Sequence, residues 1–592
     1  MGRSWSWVYL GNDWERYVRV RGELGDAGRE IPAGPLINAV ADDHRRELLN
    51  FDDALELRSE VLWQTTDLAE RNIFTSDFLH ACCSALAVHR ILEDADGDLL
   101  VVVDDSLLRW RIAELARGAG RDARTALERM REALQLVRVR LSWKAHGIAH
   151  RLLFLRGFRR SRRALRALGG RGRLPSSLDT VLVVWATPET FGDERVTTYI
   201  GNVPAVLRNQ GQRIGFLAIP TSWVHPLDAI LENVRTSRDP VVVPQQLLRW
   251  RDVVAIALRT LRAPARARVP FEVGGTDLTG FVLDGLRREW ARPRQLWALQ
   301  FYAVGRALAR DVRPRTMLVP YENQPWEKAL RLGVHAEAAG TEVVGYQHTP
   351  ISRRWFPYFP SRRDLMSGAL PDRVVVPGEF WRREFLEHGY AAGQLVVAPA
   401  LRYSHLGDHD LSDRRGRVVL AAGSIGRGDS LELFVKALLA LEPLEDVRLL
   451  FKPHPFMGGV ESFVGAALAA TGRDSLPAWA EIVGGSVPEH LPGVGVVLYN
   501  TTSVSYEALA AGIPVVFVQS DFWFDCDPIP VEAGVGAEVR TPEELRAVLE
   551  RMLEESTVEG SAHRTRVREF LADTLADGTA EDYVEIVVGR RR

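Results

Sequence analysis

Short runs of β-branched and other apolar residues alternate, over most of this chain, with longer segments of helical periodicity. A continuous apolar run bounded by polar turns is typical of a strand buried on both faces of a parallel sheet, and the helical segments between such runs cover those faces. The first series of runs therefore predicts one Rossmann-like lobe, with strands at Thr180–Trp185, Arg213–Ala218, Pro240–Val243, Thr316–Pro320, Thr341–Tyr346 and Arg373–Val376.

A second series of the same kind follows a polar stretch at residues 404–417, which we interpret as a linker. It predicts a second Rossmann-like lobe over residues 418–592, with strands at Val418–Ala422, Val447–Phe451, Glu481–Val483, Gly495–Tyr499 and Pro514–Val518. The chain is therefore expected to form an α/β protein in which two lobes face each other across a cleft.

The region before Thr180 is less regular. Residues 1–98 combine aromatic and acidic residues with weak helical periodicity, which predicts a mostly helical N-terminal extension. The apolar run Leu99–Val103 ends in a polar cap that a helical pattern follows, and we place the start of the first lobe there, at residues 99–403.

Composition excludes several classes of protein. The formal net charge of -2 argues against a nucleic acid bound through global charge. The three cysteines cannot form a disulfide framework and favour a reducing cytoplasm as the location. No run of 18 or more apolar residues predicts a membrane-spanning helix, and Met1–Trp7 lacks the pattern of a secretory signal.

The strongest charge asymmetry lies in a basic helical segment at residues 133–178. No acidic residue occurs between Glu132 and Asp179, whereas arginines recur throughout and alternate with leucines and phenylalanines. This pattern is typical of a basic amphipathic helix on an anionic membrane surface, here the cytoplasmic face of the inner membrane. A solvated helix and linker would show the same pattern, so both interpretations stay open.

Ligands of parallel α/β sheets bind beyond the carboxyl ends of the strands, so the loops that follow strands are the first candidates for a site. In the second lobe, Gly423 and Ser424 open a glycine loop whose backbone amides suit a phosphate, with Arg427 as a countercharge. Many turns between a strand and a helix need glycine only for their backbone conformation, so this loop alone decides nothing.

The next loop, Lys452-Pro453-His454-Pro455, places a cation and an imidazole between two prolines that restrict the backbone. A lone histidine in a turn is more often a packing residue than a ligand. The neighbouring lysine and the position after a strand favour a binding role here.

A third loop, Asn500-Thr501-Thr502-Ser503, lies between a strand and a helix that contains Glu507. One hydroxyl would suffice to cap the helix, and three in a row favour anion binding at its N-terminus. Glu507 is a further candidate binding residue on this helix.

Together, the Lys-Pro-His-Pro and hydroxyl-rich segments resemble the His-Pro and Ser/Thr motifs of bacterial GT-B enzymes that use cytidine-activated donors. These include sialyltransferases, polysialyltransferases and Kdo transferases, and, in a related pattern, CDP-glycerol glycerophosphotransferases. The resemblance implies that His454 contacts the phosphate of the cytidine nucleotide. It also implies that Thr501, Thr502 and Ser503 bind phosphate or the carboxylate of the donor.

In the first lobe, Pro320–Glu327 and Tyr346–Pro350 are similar to segments of bacterial surface-carbohydrate biosynthesis proteins from capsule and O-antigen loci. This resemblance covers roughly residues 315–530. An inverting transferase needs a base for the acceptor hydroxyl, and Glu322, at the carboxyl end of a strand, is our candidate. His348 is the competing base or a donor-binding residue. The short acidic motif of bacterial sialyltransferases is not reproduced here.

The resemblance implies a GT-B glycosyltransferase that moves a sugar, such as Kdo or another nonulosonic acid, from a CMP donor to a glycan or lipid-linked acceptor. A CDP-polyol phosphotransferase, a UDP-sugar 2-epimerase and a non-catalytic scaffold of a polysaccharide assembly complex remain as alternatives. We expect no cofactor and no metal ion, because the DxD pattern of Asp525-Cys526-Asp527 follows an aromatic stretch late in the second lobe.

Overall fold

The computed structural model of the protein describes residues 5–94, 97–121, 124–167, 174–191, 199–337, 340–404, 416–455, 457, 459–554 and 561–589. Most of the predicted linker (405–415) and part of the basic segment (168–173) lie outside these residues, as do the first four residues.

The N-terminal part begins with a strand and is otherwise mostly helical. Its elements are β1 Trp5–Tyr9, α1 Trp14–Leu24, β2 Arg29–Glu30, α2 Ala33–Asp43, α3 Arg45–Leu49, β3 Leu55–Leu57, α4 Glu60–Gln64, α5 Asp67–Glu70, α6 Phe78–Asp94, β4 Asp98–Val102 and α7 Ser106–Gly118. The predicted strand at residues 99–103 is present as β4, but it pairs with β1 in a small parallel sheet of order β2-β1-β4 instead of joining the sheet of the first lobe. Its partner lies some 90 residues earlier, where local sequence carries no information about pairing.

A long helix, α8 (Ala126–Ala167), leads into the first lobe. The lobe contains β5 Thr180–Ala186, α9 Val203–Asn209, β6 Ile214–Pro220, α10 Leu227–Thr236, β7 Val241–Val242, α11 Pro244–Leu247, α12 Trp250–Arg259, β8 Ala265–Ala267, β9 Glu272–Val273, β10 Thr276–Asp277, α13 Thr279–Glu289, α14 Arg294–Asp311, β11 Thr316–Pro320, α15 Pro325–Glu337, β12 Glu342–Tyr346, α16 Arg362–Ser367, β13 Arg373–Val376, α17 Glu379–Glu387 and β14 Leu395–Val397. Its parallel sheet has the order β14-β13-β12-β11-β5-β6-β7. The short strand β8 pairs instead with β3 of the N-terminal part.

The second lobe is a six-stranded parallel sheet with its helices. The elements are β15 Val418–Ala422, α18 Arg427–Leu441, β16 Arg448–Lys452, α19 Val460–Ala470, β17 Ala480–Ile482, β18 Val496–Tyr499, α20 Val504–Ala510, β19 Val515–Val518, β20 Ala537–Val539, α21 Pro542–Glu554, α22 Ser561–Thr574 and α23 Ala580–Val587. The order β17-β16-β15-β18-β19-β20 is 3-2-1-4-5-6 in chain sequence, which is the Rossmann order.

The last two helices return to the first lobe. The Trp381 indole donates to the Thr574 carbonyl over 3.0 Å, and the Arg373 guanidinium donates to the Val587 carbonyl over 2.7 Å. The two-lobed α/β architecture that the sequence predicts is confirmed. The assignment of all of residues 418–592 to the second lobe remains a prediction. The helices α22 and α23 belong to this range, but they pack on the first lobe.

The N-terminal part contacts both lobes. Toward the second lobe its apolar core is continuous, and the Tyr17 ring stacks on Phe522 with centroids 5.8 Å apart. Toward the first lobe the same apolar core continues, and a buried ionic cluster joins it: the Arg71 guanidinium lies 2.8 Å from the Asp52 carboxylate and 2.7 Å from that of Asp364. Lys328 of α15 lies 3.4 Å from the same Asp364.

Within the described part of the chain, no helix has the length and apolar character needed to cross a membrane.

Candidate active site at the interlobe cleft

The strand order reverses once in each sheet, between β5 and β11 in the first lobe and between β15 and β18 in the second. Ligands of open parallel sheets bind beyond the strand ends at such a reversal. Four of the predicted candidates follow strands at or beside these points: Glu322 after β11, His348 after β12, and Lys452 and His454 at the end of β16.

Glu322 and His348 form a pair. Pro320 lies opposite Tyr346 in the parallel register of β11 and β12. Glu322 and His348 each follow two residues after these positions, so they also lie side by side. The Glu322 carboxylate is 3.5 Å from Nε2 of His348. The histidine side chain is almost fully buried, whereas 28% of the glutamate side chain is exposed. The two residues that the sequence offered as competing bases are therefore neighbours.

Burial shifts both groups toward their neutral forms. It raises the pKa of Glu322, although the Gln324 amide donates a hydrogen bond to its carboxylate. Burial and the nearby Arg402 charge lower the pKa of His348 to about 3, so the imidazole is neutral at physiological pH. The Tyr199 ring packs on it with centroids 4.3 Å apart. A neutral imidazole beside a partly exposed carboxylate leaves Glu322 as the stronger base.

Glu327, the other acid of this segment, has a structural role. Its carboxylate accepts the backbone N–H of Glu322 over 3.1 Å and thereby fixes the turn between β11 and α15. The turn contains Asn323 in a left-handed conformation, with φ 55°. The neighbouring Lys328 contacts the Ala69 carbonyl and Asp364 instead of Glu327. Of the two glutamates, Glu322 is the one available to a substrate.

Arg402 connects the two halves of the site, and sequence reasoning missed it. Its guanidinium carbon lies 5.4 Å from the centre of the Tyr199 ring. Burial raises the pKa of Glu322 in the first lobe and of Glu507 in the second, and the positive charge of Arg402 lowers both. In the sequence, Arg402 is a single arginine just before the polar stretch 404–417, and no local pattern distinguishes it from the other arginines of the chain.

In the second lobe, Lys452 and His454 lie together at the end of β16. Lys452 is 7% exposed, and its ammonium group donates to the Pro453 carbonyl over 3.1 Å. Burial lowers the pKa of Lys452, and burial followed by the Lys452 and Arg402 charges lowers that of His454. Pro455 is exposed beside them. The segment thus holds a cation and an imidazole close together at the sheet edge.

The glycine loop lies next to this segment, because the Gly423 amide donates to the Lys452 carbonyl over 3.0 Å. The side chains of the loop are directed elsewhere. The buried Ser424 hydroxyl bonds to Asp429 and accepts the Gly426 amide over 3.0 Å, and Arg427 pairs with Glu15 of α1 over 3.1 Å. Contact of these two side chains with a donor remains a prediction.

The hydroxyl-rich loop after β18 includes a buried amide. Asn500 is 5% exposed, and neither polar atom of its side chain has a hydrogen-bond partner in the structure. Thr501, Thr502 and Ser503 are partly exposed, and the Thr502 hydroxyl accepts the Val504 amide over 3.4 Å. Part of the hydroxyl content is therefore used for capping, and Asn500 is an additional candidate for ligand contact.

The DxD pattern serves packing. Asp525 accepts hydrogen bonds from the Asn38 side chain over 2.9 Å and from the Ser520 amide over 2.7 Å. Asp527 accepts the Tyr499 hydroxyl over 2.9 Å. Over the residues that the structure describes, no cluster of three or more His, Cys, Asp and Glu side chains is arranged to hold a metal ion.

The two parallel sheets, with candidate residues at their facing carboxyl edges, define a GT-B fold. No protein-family model matches the chain, and no curated protein matches it in sequence.

Among solved structures, a UDP-N-acetylglucosamine 2-epimerase homologue from Listeria monocytogenes is 15% identical, with a TM-score of 0.40 over 69% of this chain and 94% of that one. A Rickettsia africae glycosyltransferase is 11% identical, with a TM-score of 0.39 over 68% and 95%. An Anabaena protein in complex with UDP and glucose is 13% identical, with a TM-score of 0.37 over 70% and 100%. Likenesses of this size carry no conclusion about reaction or substrate.

Proposed function

We propose that the protein is a glycosyltransferase of bacterial surface polysaccharide synthesis, which moves a sugar from a CMP-activated donor to a lipid-linked or growing glycan. One observation carries the proposal. The charge of Arg402 acts on the Glu322–His348 pair at the edge of the first sheet and on His454, which lies beside Lys452 at the edge of the second. This arrangement supports a base and a cluster for a leaving phosphate in one cleft.

In the proposed reaction, the acceptor hydroxyl attacks the anomeric carbon of the donor sugar. A carbon–oxygen bond to the acceptor forms as the bond between that carbon and the phosphate oxygen of the donor breaks. The hydroxyl proton passes to the Glu322 carboxylate, whose pKa is raised by burial and is therefore closer to the range of an effective general base. The neutral His348 orients the carboxylate.

The bonding electron pair leaves with CMP, whose phosphate gains charge in the transition state. Lys452 and Arg402 supply positive charge, and His454 and the unpartnered Asn500 amide supply hydrogen-bond donors. Donors that are already in place stabilise a developing charge better than water does, because they need not reorganise.

Thermal-shift measurements with CMP, CDP, UDP and GDP test the proposal, because a nucleotide that binds the native state raises its melting temperature. We expect CMP to give the largest shift and the His454→Ala variant to lose it, since the proposed contact of the imidazole with the phosphate is removed. His89→Ala, on the surface of α6, is the matched control and should keep the full shift. The proposal fails if none of the four nucleotides raises the melting temperature of the wild-type protein.

Product analysis separates the related reactions. Release of CMP alone indicates sugar transfer, and release of CMP with a phosphate-bearing product indicates polyol-phosphate transfer from a CDP donor. Conversion of UDP-N-acetylglucosamine without any acceptor would instead identify an epimerase. A scaffold would bind no nucleotide.

We further propose that α8 holds the protein at an anionic bilayer. Apolar side chains recur on its outer face at intervals of three, four or seven residues over most of its length, each 51–59% exposed: Leu127, Met130, Leu134, Val137, Leu141, Ile148 and Leu152. The same helix exposes cations beside this stripe, among them Arg131, Arg138, Lys144, Arg156 and Arg159. An apolar stripe flanked by cations suits the headgroup region of a membrane.

A second copy of the chain is a poorer partner for this stripe. Paired helices need opposite charges along their flanks, and residues 133–167 of α8 contain no acid. Two such helices would bring arginines against arginines, whereas anionic lipids supply the missing negative charge, at about 1 kcal/mol per basic residue near the surface.

Replacement of Leu134, Leu141 and Ile148 by glutamate should reduce co-sedimentation with phosphatidylglycerol-containing vesicles by at least about tenfold. The three side chains are more than half exposed, so the melting temperature should not change. Leu258→Glu, an equally exposed leucine on α12, is the matched control and should still bind. Unchanged vesicle binding by the triple variant would contradict the proposal, as would a wild-type dimer that the substitutions dissociate.

A further inference from the structure

Arg45, at the start of α3, carries a guanidinium group without a polar partner. Its Nε and Nη2 atoms are sealed from solvent and make no hydrogen bond in the structure. The group packs over two aromatic rings, 4.2 Å from the centre of Phe359 and 5.7 Å from that of Phe356. Among the described residues, no carboxylate forms an ion pair with it.

An unpaired buried charge is costly, so proteins normally pair it or place it where a ligand completes it. Burial lowers the pKa of Arg45 to about 10, and the more distant charges of Asp42 and Glu384 only partly oppose that shift. A guanidinium still carries its full charge at neutral pH under these conditions. An anion bound at this site would therefore compensate the charge of the guanidinium.

Arg45 lines a cavity of about 640 Å³ in which the three parts of the protein meet. The walls come from α2 and α3, from residues 351–384 of the first lobe and from residues 517–540 of the second. In the second lobe the cavity lies beyond β19 and β20, whereas Lys452 and His454 follow β16 on the other side of the strand reversal. A volume of this size is within the range of small-molecule sites.

Six acids lie in the cavity wall, and each is engaged by another group. Glu532 pairs with Arg353, Asp527 accepts the Tyr499 hydroxyl, and Glu538 accepts the Gln519 amide. Asp42 pairs with Arg354, and Glu384 pairs with Arg353. Asp525 is bonded to Asn38 and to the Ser520 amide, and its burial raises its pKa to about 7. These acids are therefore not available to neutralise Arg45.

We infer that this cavity binds an acidic group of the acceptor glycan, a carboxylate or a phosphate, on the guanidinium of Arg45. The planar guanidinium of Arg45 suits such a group, whereas Arg353 and Arg354 in the same wall are already paired with Glu384, Glu532 and Asp42. The assignment to the acceptor rests on the proposed transferase function, because a transferase must hold an acceptor as well as its nucleotide, and the cavity lies across the strand reversal from the residues assigned to the nucleotide.

Calorimetric titration of the full chain tests this inference with three probes: methyl glucuronide, inorganic phosphate and the uncharged methyl glucoside. The wild-type protein should bind the glucuronide or phosphate and not the glucoside, and the active probe identifies the acidic group. Arg45→Met should weaken that binding at least about tenfold, as expected for loss of a charged hydrogen bond. Arg46→Met, an exposed neighbour outside the cavity, should bind as the wild type does.

Two further measurements keep the outcomes separate. Arg45→Met should keep the CMP shift, and His454→Ala should keep probe binding while losing that shift. Absence of any CMP shift in the wild type would remove the transferase proposal and leave the Arg45 measurement standing. Arg45→Met should fold, because the sealed Nε and Nη2 atoms of Arg45 make no hydrogen bond that the substitution would break.

Equal binding of the probe by Arg45→Met and wild type, or no binding of either acidic probe by the wild type, would overturn the inference. Arg45→Lys provides a second test, because it keeps the charge and loses the planar fork. It should bind the probe several-fold more weakly than the wild type, and undiminished binding would count against the assignment.

Discussion

Replacement of Glu322 by glutamine should lower kcat by about 10²–10⁴-fold and leave the affinity for CMP unchanged. The substitution keeps the size of the side chain and removes its ability to take the acceptor proton. Steady-state kinetics with the donor and acceptor that prove active, together with the CMP thermal shift, measure the two effects separately.

The stability of the same variant distinguishes a base from a structural acid. Burial raises the pKa of Glu322 in the folded protein, so its protonated form favours folding and that contribution is lost as pH rises through the raised pKa. Glutamine mimics the protonated form, and the variant should be as stable as the wild type at neutral pH or more stable. Glu327→Ala should instead lower the melting temperature, because alanine removes the acceptor that holds the backbone amide of Glu322.

The pH dependence follows from the same shift. The base must be ionised to act, so activity should rise with pH through a pKa above 4.5, the ordinary value of a glutamate, and fall as pH decreases. His348 remains neutral over this range. An activity that persists in Glu322→Gln, or that shows no acidic limb, would assign the base elsewhere.

Replacement of Arg71 by methionine should destabilise the protein by about 3–5 kcal/mol. Arg71 and its two carboxylate partners are at most 2% exposed, so its loss leaves negative charge buried without compensation. Asp364, whose pKa is held well below its ordinary value, would keep Lys328 as a neighbouring cation at 3.4 Å. For Asp52, the nearest other cation in the described structure is Arg363, at 3.9 Å. Urea denaturation followed by circular dichroism gives the change in unfolding free energy.

A surface pair nearby provides the control. Arg362 lies 3.5 Å from Asp53, with side chains 61% and 49% exposed. Such exposed pairs contribute about 0–1 kcal/mol to the free energy of unfolding. The midpoint of urea unfolding of Arg362→Met should therefore be close to that of the wild type. If Arg71→Met unfolds at the same concentration as Arg362→Met, the buried cluster does not stabilise the contact between the N-terminal part and the first lobe.

Much of the fold was predictable because strands buried on both faces are continuous apolar runs. The runs at Thr180, Thr316 and Val418 each begin a strand at the predicted residue. The strands that escaped prediction at the ends of the two sheets, β14 and β20, have three residues each and too little periodicity to detect. The pairing of β4 with β1 also escaped prediction, because pairing between distant segments depends on tertiary packing.

The site was predictable where it follows from strand ends. Glu322 and His348 each stand two residues beyond a strand, and their pairing needed only the order of β11 and β12, which the sequence does not contain. Arg402 was missed because its role depends on the approach of two lobes. The direction of the Arg427 side chain toward Glu15 was equally inaccessible, since its partner lies more than 400 positions away.

The position of the N-terminal part against both lobes affects how the cleft can move. Two lobes joined only by a connector can rotate as two rigid bodies about a hinge. Here a third body contacts both lobes through a continuous apolar core, and the first lobe also through an ionic cluster around Arg71. Any change in the aperture of the cleft must shear one of these contacts, so the energy of opening is set by a segment that contributes no residue to the candidate base or the nucleotide loops.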